Sequence, residues 1–392
     1  MKTTCKILLC MLLAALFVCL VPFEGLAAVQ VPRDEKDTTA EQEKLPCRSA
    51  ILMDAKTGQV LLEQNADEAL PPASVTKIMT LLLVMEAIDG GGLTLTDTVT
   101  VSAHAASMGG SQVYLKEGEA MTVEEMLKCV VIASANDCAV ALAEHVAGSE
   151  AEFVRRMNAR AVALGMKNTN FENTNGLDDT AQNHVTSARD IAIMSRALIA
   201  HPTILKYSGI WMDTVRDGSF GLTNTNRLVR FYRGCTGLKT GSTARAGFCI
   251  SATAERDGVS LIAVVMAADT RDIRNQTAAK LLDYGFANYG IFEAEGGELS
   301  RTVKGGIADT CALRYAPVAI TLKKGEAARV RSRVELDDAL KAPIEEGARV
   351  GRIVYELDGH EIGAVDVVAT QSVEKIGFGT LFYRILAKML LL

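Results

Sequence analysis

The sequence predicts an α+β domain of helices packed on an antiparallel sheet, followed by a small all-β domain and a C-terminal amphipathic helix. Three patterns carry that expectation. A short hairpin and a later trio of strands bracket a stretch of helical apolar periodicity. After Gly290 apolar and polar residues alternate between Gly- and Pro-marked turns. From Ser372 the apolar residues return to helical spacing. The length of 392 residues, at roughly 150 per domain, allows two or three domains. A composition of 49% hydrophobic and 22% charged residues excludes wholesale disorder. The net charge of −6 argues against nucleic acid as the main partner, because phosphate binding needs a basic surface. Five histidines with no His-x-x-x-His pair, and no Cys-x-x-Cys, give no pattern for a zinc site.

Residues 1–27 read as a secretory signal peptide: Lys2 and Lys6, an uncharged apolar run over 7–21, then small residues at Gly25 and Ala27. That run is short for a bilayer span of about 20 residues, although an uncleaved anchor is the alternative. Residues 28–45 are polar and read as a linker. The mature cysteines are Cys47, Cys129, Cys138, Cys235, Cys249 and Cys311. They read as buried free thiols, with Cys235 and Cys249 the pair to expect if one forms a disulfide.

In the first domain, 49–54 and 59–64 form a hairpin around Lys56-Thr57-Gly58. Pro71-Pro72 stops the chain, and a helix is expected from Ser74 to Ile88. Two further helices cover 122–133 and 137–147, the first opened by a Thr-x-x-Glu capping box at Thr122 and Glu125. Helices follow over 150–164 and 187–199. Strands follow over 237–242, 247–254 and 261–267, and then a helix over 275–289. The alternating region spans 302–368. In the tail, Ile376, Leu381, Phe382, Ile385, Leu386, Met389 and Leu390 recur at helical spacing with Lys375, Arg384 and Lys388 between them. A spanning helix would place Arg384 and Lys388 in hydrocarbon, so a helix lying in the membrane surface fits better than a span. A helix docked on the protein itself is the alternative.

Three short motifs carry chemistry. Ser74-Val75-Thr76-Lys77 places a hydroxyl and an amine one helical turn apart, near a helix N-terminus that favours developing negative charge. Ile78, Met79, Leu81, Leu82 and Leu83 surround the lysine, and burial lowers a lysine pKa toward that of a usable base. Ser372-Val373-Glu374-Lys375 repeats the spacing at the start of the expected tail helix, so the motif alone is weak. Ser134-Ala135-Asn136 joins two apolar helices and points a hydroxyl and an amide into a cleft, or else caps a helix. Lys239-Thr240-Gly241 lies on an expected strand. The lysine and threonine suit a substrate carboxylate, and Gly241 lets a ligand backbone approach. The copy at Lys56-Thr57-Gly58 reads as turn geometry.

Ser-x-x-Lys, then Ser-x-Asn sixty residues on, then Lys-Thr-Gly about a hundred further, resembles the penicilloyl serine transferases. Pro72 to Thr80, Ser134 to Asp137, Asn175-Gly176-Leu177-Asp178 with Thr186, Ala188, Arg189 and Asp190, and Gly237 to Gly241 are similar to the serine-type D-Ala-D-Ala carboxypeptidases, the low-molecular-mass penicillin-binding proteins. The resemblance covers about residues 45–290 closely. It implies a β-lactamase/transpeptidase-like domain over 46–292 with an all-helical subdomain, a small all-β domain over 293–370, and a membrane-associating helix over 371–392. It implies that Ser74 attacks the carbonyl between the two terminal D-alanines of a peptidoglycan stem peptide, that Lys77 takes its proton, and that Ser134 relays it to the leaving group. Asn136 would bond Lys77 or the substrate amide, and Lys239 and Thr240 would hold the terminal carboxylate. The backbone N–H groups of Ser74 and Ser242 would form the oxyanion hole. β-Lactams would be covalent inhibitors, and no metal or organic cofactor is required.

Three rivals share these residues. A β-lactamase needs a base for deacylation, and Glu172 lies in the right interval, although its surroundings read as a loop. A noncatalytic peptidoglycan-binding scaffold would keep the fold without the chemistry. A transpeptidase would use an amine in place of water.

Overall fold

The computed structural model describes residues 44–179 and 181–389. The expected signal peptide and most of the linker lie outside them, as does Leu390, and the side chain of Lys388 is likewise outside the description. The central sheet has five strands: β1 (Ser49–Asp54), β2 (Val60–Gln64), β3 (Cys235–Thr243), β4 (Gly247–Arg256) and β5 (Val259–Ala268). Their order is β2-β1-β5-β4-β3 and every pairing is antiparallel. The two chain-distant hairpins therefore meet at the β1–β5 seam, and β3 is left as an edge.

Both faces of this sheet are covered, which explains the unbroken apolar run of β5. Ile51, Met53, Ile262, Val264 and Met266 face one core, which holds Ile78, Leu81, Leu82, Ile191 and Leu198. Alternate residues Ala50, Leu52, Leu261, Ala263 and Val265 face the other, with Ala278, Leu281 and Leu282. The period of two in a strand sends neighbouring side chains to opposite faces. The helices that supply these cores are α1 (Lys77–Asp89), α2 (Val123–Lys128), α3 (Asn136–Ala147), α4 (Glu150–Ala163), α5 (Ala188–Ile199) and α6 (Arg271–Asn288). The capping box forms at α2: Thr122 Oγ1 accepts from Glu125 N, and Glu125 Oε2 accepts from Thr122 N.

Two elements differ from the sequence reading in ways that shape the site. The helix expected from Ser74 begins as a 3₁₀ turn, Ala73–Thr76, and becomes α-helical only at Lys77. The helix expected over 122–133 passes at Cys129–Ala133 into a π turn, which ends on Ser134 in the left-handed region with φ of 65°. Single π turns insert a residue into a helix and commonly mark functional sites.

The C-terminal region adds β6 (Tyr289–Ala294), β7 (Gly297–Lys304), β8 (Thr310–Tyr315), β9 (Val318–Lys323), β10 (Arg331–Leu336), β11 (Ala339–Lys341), β12 (Arg349–Leu357) and β13 (His360–Ala369). Six of them form a sheet in the order β10-β12-β13-β8-β7-β11, and β6 pairs with β9. This domain has its own core around Leu313, Ile353, Tyr355 and Val367. It is tied to the first at a buried point, where Thr321 Oγ1 donates to Asp54 Oδ2 at 2.6 Å. Asp54 Oδ1 also accepts from Thr57 N at 2.7 Å, so the first Lys-Thr-Gly copy closes the β1–β2 turn.

The last helix is α7 (Phe378–Met389), shorter at its start than the sequence suggested. Val373 and Lys375 instead make isolated strand bridges to Ile344 and Gly306, and Ile376 N donates to Gly305 O at 2.8 Å. The second Ser-x-x-Lys copy is therefore extended, and its serine and lysine do not share a helical face. No described helix is long and apolar enough to cross a membrane.

The six described cysteines are free thiols. Cys235 and Cys249 do not oppose each other across the β3–β4 hairpin: Cys235 pairs with Ala254, and Cys249 with Gly241.

Candidate active site

The site forms where the 3₁₀ turn, the π turn and the edge strand β3 converge. Gly241 on β3 explains how closely they approach. A Cβ there would lie 2.8 Å from Pro72 O and from Ser74 N, and 2.9 Å from Val75 N. Such contacts are closer than any side chain tolerates, so glycine admits the chain's own Ser74 turn. This corrects the expectation that its role is to admit a ligand backbone. Gly176, with φ of +85°, does the same from the opposite side, since a Cβ there would meet Ala73 O at 1.8 Å.

Ser74 is half-buried, and Lys77 is fully buried at 0% exposure. Lys77 Nζ lies 2.9 Å from Ser74 Oγ, 2.6 Å from Asn136 Oδ1 and 2.7 Å from the Asn175 carbonyl oxygen. Burial, reinforced by the nearby Lys239 charge, holds the Lys77 pKa well below the usual lysine value, and Asp137 opposes the shift. A neutral amine has two N–H donors and one lone pair. In that neutral form the two oxygen acceptors would take the donors and leave the lone pair for the Ser74 hydroxyl.

The second pair mirrors the first. Lys239 Nζ donates to Ser134 Oγ at 2.8 Å and to Thr240 O at 3.0 Å. Burial and then the Arg274 charge bring the Lys239 pKa down to about 7. Asn136 is held at both ends of its amide, because Nδ2 donates to Gly109 O at 2.7 Å while Oδ1 faces Lys77. Neither Ser134 nor Asn136 caps α3 with its side chain: the N-cap is Ala135, with no side-chain cap bond. Thr240 Oγ1 donates to Thr225 Oγ1 at 2.8 Å. Ser242 is exposed on β3, beside Gly241 and across from Phe248. The structure thus gathers Ser74, Lys77, Ser134, Asn136, Lys239 and Thr240 into one crevice, with Ser242 on the strand that borders it.

Several contributors escaped the sequence reading. The Asn175 carbonyl serves Lys77 through its backbone, which no side-chain pattern announces, although the Asn-Gly dipeptide marks the turn. Thr225 reaches Thr240 from the segment that precedes β3 by about ten residues. Arg274 is buried on α6, with Nε donating to Asn275 Oδ1 at 3.1 Å, and its charge acts on Lys239. Glu172, the residue a β-lactamase reading would need, accepts from Gln182 N at 2.8 Å and Asn183 N at 3.0 Å, which commits it to its loop.

A hydroxyl on a tight turn, facing a buried amine in an α+β fold of this plan, defines a serine hydrolase of the Ser-x-x-Lys kind. A family model described as D-alanyl-D-alanine carboxypeptidase matches residues 36–270, and one described as the penicillin-binding protein 5 C-terminal domain matches 312–375. The chain is 43% identical over 345 residues to D-alanyl-D-alanine carboxypeptidase DacF of Bacillus subtilis, covering 86% of this chain and 88% of that one. It is 34% identical over 354 residues to the Escherichia coli D-alanyl-D-alanine carboxypeptidase DacC, covering 87% and 88%. Among solved structures, penicillin-binding protein 5 from Haemophilus influenzae superposes with a TM-score of 0.75 at 32% identity, over 86% of this chain and 100% of that one. Penicillin-binding protein D2 from Listeria monocytogenes, in its ampicillin-bound form, superposes with a TM-score of 0.58 at 33% identity, over 62% and 99%. The chain belongs to the D-alanyl-D-alanine carboxypeptidase family.

Proposed function

We propose that Ser74 is the nucleophile that removes the terminal D-alanine from peptidoglycan stem peptides. Neutral Lys77 takes the Ser74 proton as its Oγ bonds to the penultimate D-alanine carbonyl carbon. The resulting oxyanion is met by the N–H groups of Ser74 and Ser242, each worth roughly 3 kcal/mol in comparable sites. Ser134, held by Lys239, passes a proton to the amine of the departing D-alanine, and Lys239 and Thr240 hold its carboxylate. Water then cleaves the acyl-enzyme. A β-lactam presents the same carbonyl and carboxylate and leaves a slow adduct on Ser74.

The observation that carries this reading is the placement of Lys77 Nζ, 2.9 Å from Ser74 Oγ with both its other contacts acceptors. Labelled penicillin is expected to acylate the wild-type protein and not Ser74→Ala, and D-alanine release from a diacyl-Lys-D-Ala-D-Ala peptide is expected to vanish in the same variant. Persistent labelling of Ser74→Ala would overturn the nucleophile.

The same reading places the enzyme outside the cytoplasmic membrane, delivered by the signal peptide at 1–27 and held on the outer face by α7. Support comes from the apolar side chains of α7 that face away from the protein, with Phe378 84%, Phe382 58% and Met389 76% exposed. Arg384 turns the other way, with Nη1 donating to Asp309 Oδ1 at 3.0 Å. An amphipathic helix with a free apolar face and Arg384 on the protein side suits the boundary between headgroups and acyl chains.

A further inference from the structure

We propose that His184 is a positioning residue for acylation: its imidazole, acting through Thr76, holds the turn that presents the Ser74 hydroxyl and N–H. This inference rests on Ser74 being the nucleophile.

His184 is buried, 108 residues from Thr76 in sequence, and its Nε2 lies 2.7 Å from Thr76 Oγ1. Its other nitrogen fixes the tautomer. Glu172 N donates to His184 Nδ1 at 3.0 Å, so Nδ1 is the acceptor and the ring proton sits on Nε2. Nε2–H therefore donates to Thr76 Oγ1. The Thr76 hydroxyl passes its own hydrogen to Ala73 O at 2.8 Å. The relay thus runs from the Glu172 backbone through the imidazole and the hydroxyl to the carbonyl immediately before Ser74.

That carbonyl belongs to a residue that needs support. Ala73 has φ of +48°, in the left-handed region that costs an L side chain. Its carbonyl direction sets where the Ser74 N–H points, and Ser74 N lies beside β3 at Gly241. Phe171 packs edge-on against the imidazole at 5.7 Å between ring centroids, which fixes the ring plane. Burial pushes the His184 pKa down to about 4, against the opposing charges of Glu172 and Asp178, so the neutral tautomer persists through neutral pH. The mechanism itself uses no histidine, and the ring touches neither Ser74 nor Lys77 by a hydrogen bond, which leaves geometry as its contribution.

Two substitutions separate the two ring nitrogens. A glutamine amide reaches the Nε2 position and keeps a donor toward Thr76, whereas an asparagine keeps an acceptor near Nδ1 and loses that donor. The full chain carrying His184→Asn is expected to lose about 100-fold in kcat for D-alanine release from diacyl-Lys-D-Ala-D-Ala, with KM little changed, since a misplaced reacting group costs about that factor. His184→Gln is expected to recover most of the loss. Penicillin acylation is expected to follow the same order. Equal losses in both variants that track their melting temperatures, or wild-type kcat in His184→Asn, would overturn the proposal. Should His184→Asn fail to fold, Thr76→Val decides: a fall in kcat at wild-type melting temperature supports the relay, and unchanged kcat overturns it. Ser74→Ala, run alongside, reports on the nucleophile separately, because retained labelling there defeats the underlying reading whatever His184 does.

Discussion

At the scale of single residues, two buried lysines divide the work by their neighbours. Lys77 is surrounded by acceptors and its pKa is held well below the usual lysine value, while Lys239 has a pKa near 7 set by burial and by Arg274. The signs of the two requirements are opposite. In the proposed mechanism acylation needs Lys77 without its proton, so kcat/KM is expected to rise as pH climbs through the lowered Lys77 pKa. In the same mechanism carboxylate binding needs Lys239 with its proton, so kcat/KM is expected to fall as pH rises through about 7. The profile is expected to be bell-shaped, with an alkaline limb near neutrality. Lys239→Arg keeps a charge that does not titrate in this range. It is expected to lower the maximum and move the alkaline limb upward, measured as kcat/KM for peptide hydrolysis from pH 5 to 10. An unmoved limb would remove Lys239 from that role. The tight shell around Lys77 also explains why Asn136 is demanding: its amide serves Lys77 on one side and Gly109 on the other.

At the scale of elements, the site depends on how closely β3 lies against the Ser74 turn. Gly241→Ala would put a methyl 2.8 Å from Ser74 N. The strand or the turn must then shift, and penicillin acylation is expected to drop by about 100-fold or more, since sub-ångström placement governs such reactions. The protein should remain folded by circular dichroism, because β3 is an edge strand. The caps act on stability instead. Thr122→Ala removes the acceptor for Glu125 N and one half of the box at α2. It is expected to cost about 1 kcal/mol in urea unfolding with little change in activity. The strained end of the π turn at Ser134 is a different kind of feature, because it aims the hydroxyl at Lys239.

At the scale of the whole molecule, the two domains and the tail answer to different forces. The buried contact between Thr321 and Asp54 joins the domains. Thr321→Val leaves Asp54 Oδ2 without that donor and is expected to cost about 1–3 kcal/mol, read as a lower melting temperature at unchanged kcat. The tail contributes apolar area that the protein does not cover. Removing residues 378–392 is expected to leave kcat unchanged and to abolish co-sedimentation with vesicles containing anionic lipid. Loss of folding in that truncation would favour a helix docked on the protein, and retained sedimentation would place the membrane contact elsewhere.

The order of strands and helices was legible in the sequence because apolar periodicity reports directly on which faces are buried, as at Ile51 and Leu52 or Val264 and Val265. The three motifs were legible because their chemistry lies in side-chain identity and local spacing. Ile376 and the second Ser-x-x-Lys show where spacing misleads: the same letters become extended chain when strand bridges to Ile344 and Gly306 claim the backbone. What only the tertiary structure decided is everything that crosses the chain. The 3₁₀ turn at Ser74, the π turn before Ser134, the Asn175 carbonyl on Lys77 and the imidazole behind Thr76 are all set by groups that meet across 50 to 110 positions of sequence. Local propensity contains no term for such partners. Burial, with neighbouring cations brought close by the fold, turns two ordinary lysines into groups that titrate well below their usual range, and both are properties of the folded chain.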